Sequence, residues 1–278
     1  MSDRFDPSDD QASGNPFSTL APDGVAASSD PAGSTATSTS KVRFGQKVAF
    51  GLGMLANQMF PAALSVFLVV LVQSLGFSPL AWGFVYFAPR LFDAVTDPIM
   101  GFVSDNTRSR WGRRRQYVFI GGILLGISYV AMWQLYRENS LTFNFWYFIG
   151  FSLLFYLALT IFSVPYVAMG YEMSDDFNER TSIMAVAQFI GQWAWVIAPW
   201  FWVILYDPKW FANPDEGVRI LSVWVAIPCS ILAVIPAIFV KSPSTEERTD
   251  FKPVSVGAIL GSIGQIAAST LQAFAIPQ

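Results

Sequence analysis

The chain has 278 residues; 53 % are hydrophobic, 16 % aromatic and only 13 % charged, a balance that belongs to the membrane class. The lack of histidine and the single cysteine, Cys229, exclude zinc and haem centres, cysteine–histidine nucleophiles and disulfide frameworks. The net charge of −3 is dominated by the acidic first 40 residues, and no nucleic-acid partner is implied.

Residues 1–44 read as a disordered cytoplasmic tail. The stretch is built from Ser, Ala, Gly, Thr, Pro and Asp, with Asp3, Asp6, Asp9, Asp10, Asp23 and Asp30 outweighing Arg4, and it cannot offset the entropy of ordering. It has neither the basic start nor the apolar core of a secretory signal, so the first helix is expected to stay in place as a span. A bilayer core takes roughly 20 apolar residues per helix. Six stretches meet that need, at 48–73, 80–103, 117–136, 145–170, 183–206 and 220–240. The expected architecture is an all-α membrane protein whose bundle of six transmembrane helices occupies residues 45–241, with lipid as its solvent. Residues 242–278 read as a cytoplasmic loop. Within it Val256, Ile259, Leu260, Ile263, Ala267, Leu271 and Phe274 alternate with Ser262, Gln265, Ser269 and Gln272, the pattern of an interfacial amphipathic helix, with a seventh span as the alternative.

Orientation follows from lysine and arginine, which favour cytoplasmic loops. With the N-terminus inside, Lys41, Arg43, Lys47, Arg108, Arg110, Arg113, Arg114, Arg115, Arg180, Lys241, Arg248 and Lys252 are cytoplasmic, and only Arg137, Lys209 and Arg219 lie outside. The bias predicts a multi-pass protein of the plasma (inner) membrane with a cytoplasmic N-terminus.

Polar groups are costly in lipid, so a polar stripe on a span marks a cavity or a partner. In the second span Tyr86, Arg90, Asp93, Asp97, Gly101 and Ser104 recur at three- and four-residue steps and share one helical face. The fourth span repeats this with Ser152, Tyr156, Thr160 and Ser163, the fifth adds Gln188 and Gln192, and the first carries Asn57 and Gln58 beside Pro61. Spans one, two, four and five are therefore expected around an aqueous cavity, with three and six outside or at the rim. Arg90, Asp93 and Asp97 sum to one surplus negative charge. A buried, uncompensated carboxylate takes up a proton or attracts a cation, and either outcome describes a coupling-ion site.

The run Arg90-Leu91-Phe92-Asp93-Ala94-Val95-Thr96-Asp97-Pro98-Ile99-Met100-Gly101, followed by Thr107-Arg108-Ser109-Arg110-Trp111-Gly112-Arg113, resembles the melibiose permease family, the glycoside, pentoside and hexuronide cation symporters of the major facilitator superfamily. Thr160-Ile161-Phe162-Ser163-Val164-Pro165-Tyr166 and Asp176-Phe177-Asn178-Glu179-Arg180 extend the resemblance over about residues 45–250. It implies a transporter made of two six-helix bundles, each of two three-helix repeats, with cation and solute sharing the cavity between them. The chain then reads as the N-terminal half, needing a C-terminal half as partner. The resemblance assigns the coupling ion, sodium or proton, to Asp93, Asp97 and Thr160, with Thr96 standing where the family has asparagine. It implies no cofactor and no resident metal beyond a possible sodium ion.

On the solute side the family's charged positions fall at Gln58, Ser163 and Gln188, and its stacking tryptophan at Val167. Asn57, Arg90, Asp93, Tyr166 and Gln192 complete the set directed at a sugar or related small solute. Amides and hydroxyls still bond sugar hydroxyls, but more weakly than charged groups do, so a galactoside is not specified and a lipid-like solute is an alternative. The loop from Gly101 through Asp105 to the arginines resembles the superfamily's cytoplasmic motif and implies a gate of Asp105, Arg108, Arg110, Arg113, Glu179 and Arg180, with Glu172, Asp175 and Asp176 as further acidic partners. A non-transporting sensor or scaffold, or an inert half, is the competing reading. An enzyme is disfavoured: intramembrane acid dyads share a proton between two helices, whereas both acids here lie on one helix beside an arginine.

Overall fold

The computed structural model describes residues 41–76, 79–107, 109 and 111–240. Every regular element among them is an α-helix: α1 (Phe44–Leu75), α2 (Pro79–Asn106), α3 (Arg115–Met132), α4 (Leu141–Tyr171), α5 (Phe177–Tyr206) and α6 (Pro214–Phe239). The expected tail and amphipathic segment fall almost wholly outside the described residues.

Five of the six helices are long and apolar enough to cross a membrane. The exception is α2, which was expected as the second span: Arg90, Asp93 and Asp97 interrupt its apolar run. Helix ends carry local signals. Gly76 closes α1 at φ 70°, its N–H bonded to Val72 O at 3.1 Å, a left-handed cap that glycine adopts without strain. Ser140 Oγ accepts from Phe143 N–H at 3.2 Å to start α4, and Asp176 Oδ1 accepts from Asn178 N–H at 3.0 Å to start α5. Helix α3 ends at Met132, four residues before the expected 136. The segment after it is held by other bonds: Arg219 Nη1 donates to Leu135 O at 2.8 Å, Asn144 Nδ2 to Tyr136 O at 2.8 Å, and Arg137 pairs with buried Asp215 at 2.7 Å.

Lipid offers little hydrophobic drive between helices, so close packing and small residues decide the contacts. Helix α1 runs through the centre, with Phe50, Phe60, Phe67, Ala56, Ala62 and Ala63 fully buried. Phe60 meets Tyr129 edge-on at 5.1 Å, and Phe67 meets Trp133 at 5.4 Å. A Cβ on Gly121 of α3 would lie 2.7 Å from the backbone nitrogen of Phe162, so only glycine lets α3 and α4 approach this closely.

The extensive helix pairings are α1 with α5 and α6, α3 with α4 and α6, and α2 with α4. Exchanging α1 for α4, α2 for α5 and α3 for α6 turns this list into itself, as two three-helix repeats require. Helices α3 and α6 back the pair α1 and α4. Helices α2 and α5 are each gripped mainly by one neighbour, which leaves long faces of both exposed.

Candidate functional site

Helix α2 lies along α4, and this pairing brings the acidic stripe against Thr160. That residue is buried, and its hydroxyl donates to Asp97 Oδ1 at 2.8 Å. Thr96 Oγ1 stands 3.4 Å from Thr160 Oγ1 and is 3.2 Å from Phe92 O, to which it can donate within its own helix turn. Both hydroxyl oxygens thus keep lone pairs beside the carboxylates. Pro98, inside α2, has no N–H to offer the carbonyl of Ala94, which lies between the two acids in sequence.

Asp93 is mostly buried, its side chain 17 % exposed, and Oδ1 has no hydrogen-bond partner among the described residues. Its other oxygen meets Arg90 Nη1 only at 3.8 Å, the outer limit of an ion pair, while Arg90 itself is 59 % exposed and rests over the Tyr156 ring at 5.4 Å. One loosely held arginine faces two carboxylates, and the surplus negative charge expected from the sequence persists in the fold. Four oxygen-bearing side chains on two helices, which with Arg90 carry a net charge of −1, suit a hard monovalent cation or a proton. Toward the N-terminal end of α2 lies a small cleft lined by Leu64, Leu68, Tyr86, Phe148, Ser152 and Tyr156, the last of which carries the Arg90 guanidinium over its ring.

The residues directed at the solute divide. Gln58 of α1 is half-buried and accepts the indole N–H of Trp195 on α5 at 3.3 Å. Asn57 makes only a local contact to Met54 Sδ at 3.9 Å. Gln188 and Gln192 share the exposed flank of α5, and Ser163 is half-buried one helical turn from Thr160. Tyr166 is elsewhere: fully buried, stacked between Phe50 at 4.5 Å and Phe162 at 5.3 Å, its hydroxyl donating to Phe50 O. It clamps α1 to α4 within the core, a correction to its expected role. The motif Val164-Pro165-Tyr166 carried no sign of which face the ring would take.

The gate expectation is also corrected in its partners. Arg114, which is buried, pairs with Asp105 and with Glu172 Oε1 at 3.0 Å, and Arg113 pairs with Glu172 and donates to Asp105 O at 3.4 Å. Glu179 is taken instead by Lys47 at 3.0 Å and by the Val42 N–H at 2.9 Å, because α5 starts beside α1 and away from α2. Arg180 donates to Asp175 O at 3.1 Å, and Arg115 donates to Ala237 O at 2.6 Å and Ile238 O at 2.7 Å at the end of α6. Arg108 and Arg110 lie outside the described residues. Sequence reasoning singled out neither Arg114 nor Lys47 for these networks. Each was one of several equivalent basic residues until the helix pairing was fixed.

The family model for MFS/sugar transport proteins matches residues 49–270, most of the chain. The chain belongs to this family, the glycoside, pentoside and hexuronide cation symporters of the major facilitator superfamily. The six helices form half of a major facilitator fold. Members are transporters and not enzymes. Among its relatives are an uncharacterized symporter, sll1374, of Synechocystis, 33 % identical over 54 % of this chain and 29 % of that one, and a lactose permease of Lactobacillus helveticus, 27 % identical over 69 % and 32 %. A sodium-dependent lysophosphatidylcholine symporter 1 of Xenopus tropicalis is 30 % identical over 49 % of this chain and 26 % of its own length. The matched segments thus span under a third of these relatives.

Proposed function

We propose that the chain forms the cation-binding bundle of a symporter that carries a sugar or related small solute with sodium or a proton across the plasma (inner) membrane, its N-terminus cytoplasmic. The observation that carries this reading is the set of Asp93, Asp97, Thr96 and Thr160 on α2 and α4, with one surplus negative charge and Arg90 only loosely paired. An arriving cation balances that charge and takes oxygen ligands already beside it. Repeats of this kind rock against each other around a midplane site, so a second six-helix bundle completes the cavity. Gln58, Ser163, Gln188 and Gln192, with Arg90 between the two sets, supply the uncharged donors and acceptors and the single cation that face the solute. The cytoplasmic ion pairs of Asp105, Arg113, Arg114 and Glu172 tie the α2–α3 loop to α4 on the side where an inner gate closes.

The test is uptake by the full-length protein in vesicles under imposed sodium and pH gradients. Asp97→Asn is expected to abolish cation-stimulated uptake. Uptake that keeps its wild-type ion dependence in this variant would overturn the coupling assignment.

A further inference from the structure

We propose that Trp195 is the ring-stacking platform of the solute site, held there by Gln58, and that the solute stacked on it is an uncharged pyranose sugar. This deepens the sugar reading above and rests on it.

An indole N–H can only donate. Its 3.3 Å contact to Gln58 Oε1 therefore fixes the amide, with the oxygen toward Trp195 and the NH2 group turned to other partners. The contact crosses from α5 to α1 and pins the indole while leaving the residue 47 % exposed. Trp195 lies three residues after Gln192 and seven after Gln188, so all three share one flank of α5. The same flank continues to Trp202 and Tyr206, whose rings stack at 4.7 Å and whose Tyr206 hydroxyl pairs with Gln73 Oε1 of α1 at 2.8 Å.

Beyond Gln188 the other exposed aromatics of α5, Phe189, Trp193 and Trp200, lie on a different flank with Val196 and Val203. That flank has the all-apolar make-up of a lipid-facing surface. Trp195 stands instead among amides, pinned by one of them, which is not how a lipid-facing ring is held.

A pyranose presents axial C–H bonds on one face and hydroxyls around its edge. The indole face takes the first by dispersion and by its π electrons. The amides of Gln58, Gln188 and Gln192 take the second, as both donors and acceptors. Between Thr181 and Tyr206 α5 carries no charged residue, and the one cation of the site, Arg90 on α2, already faces two carboxylates, so little counter-charge is left for an acidic solute.

The experiment is uptake of radiolabelled lactose, melibiose, sucrose, glucose and glucuronate, and of lysophosphatidylcholine, by the full-length protein in vesicles. For the best-transported neutral sugar, Trp195→Ala is expected to raise KM about tenfold and Trp195→Phe by less than about threefold. The half-saturating concentration of the driving ion, read at saturating sugar, should stay at the wild-type value in both. Gln58→Ala should raise KM in the same direction. A KM for Trp195→Ala within about twofold of wild type overturns the platform alone. So does an equal loss in the Ala and Phe variants accompanied by lower melting temperatures, since that marks a purely structural role. A wild-type protein that carries glucuronate or lysophosphatidylcholine but no neutral sugar overturns the sugar reading, and the platform with it.

Discussion

Replacing Thr160 by valine keeps the size of the side chain and exchanges its hydroxyl for a methyl group. The structure assigns that hydroxyl two contacts: the bond to Asp97 Oδ1 at 2.8 Å and the approach to Thr96 Oγ1 at 3.4 Å. Losing the hydroxyl takes an oxygen ligand from the ion, and with contacts to charged groups contributing about 1.5–3 kcal/mol the half-saturating concentration of the driving ion should rise roughly 10- to 150-fold. Thr160→Ser retains the oxygen and should stay within about threefold of wild type. The assay is initial solute uptake by the full-length protein against sodium concentration at fixed pH, repeated against pH without sodium. Equal ion affinities in wild type and Thr160→Val would refute the placement of the ion between α2 and α4, whatever became of the solute.

The ion pairs of Arg113 and Arg114 make a separate prediction. Arg114→Ala leaves Glu172 and Asp105 without their buried partner; because Asp105 is half exposed, the cost should be about 2 kcal/mol, less than for a fully buried pair, and should appear as a lower melting temperature of the purified protein. Tyr166→Phe removes only the bond to Phe50 O and should cost about 1 kcal/mol of stability without moving the solute KM. A changed KM with unchanged melting would return Tyr166 to the solute site.

The features legible in the sequence were those that repeat along one helix. Tyr86, Arg90, Asp93 and Asp97 recur at helical spacing, so their common face and surplus charge could be read before any fold was known. The partner of that face was legible only through Thr160, which lies on an equivalent stripe of α4. Contacts between helices were a different matter. Glu179 and Glu172 are both acids near the loop between α4 and α5, and nothing local says that one will meet Lys47 and the other Arg113 and Arg114. The choice follows from α5 lying on α1 while α2 lies on α4. Tyr166 was misread for a related reason: a tyrosine in the Thr160–Tyr166 motif serves a cavity or a core equally well, and the close approach of α1 and α4 at Gly53 and Phe50 decided for the core. Trp195 was passed over because a tryptophan in a span first suggests lipid, and its amide partner lies 137 positions away.

The helix pairing also separates the two halves of the proposed chemistry: the ion's oxygens lie between α2 and α4, and the amides and indole directed at the solute lie on α1 and α5. If ion and solute strengthen each other's binding, the coupling is reciprocal. A variant that harms only the ion site must then raise the solute KM at low ion concentration and lose that defect as the ion saturates. A variant that harms only the solute site must keep its defect at every ion concentration. Thr160→Val should follow the first pattern and Gln58→Ala the second, measured as solute KM across a series of sodium or pH values in the same vesicles. A Thr160→Val defect that survives ion saturation would mean that its hydroxyl contacts the solute or merely holds α2 to α4, and the division of labour between the two helix pairs would be wrong.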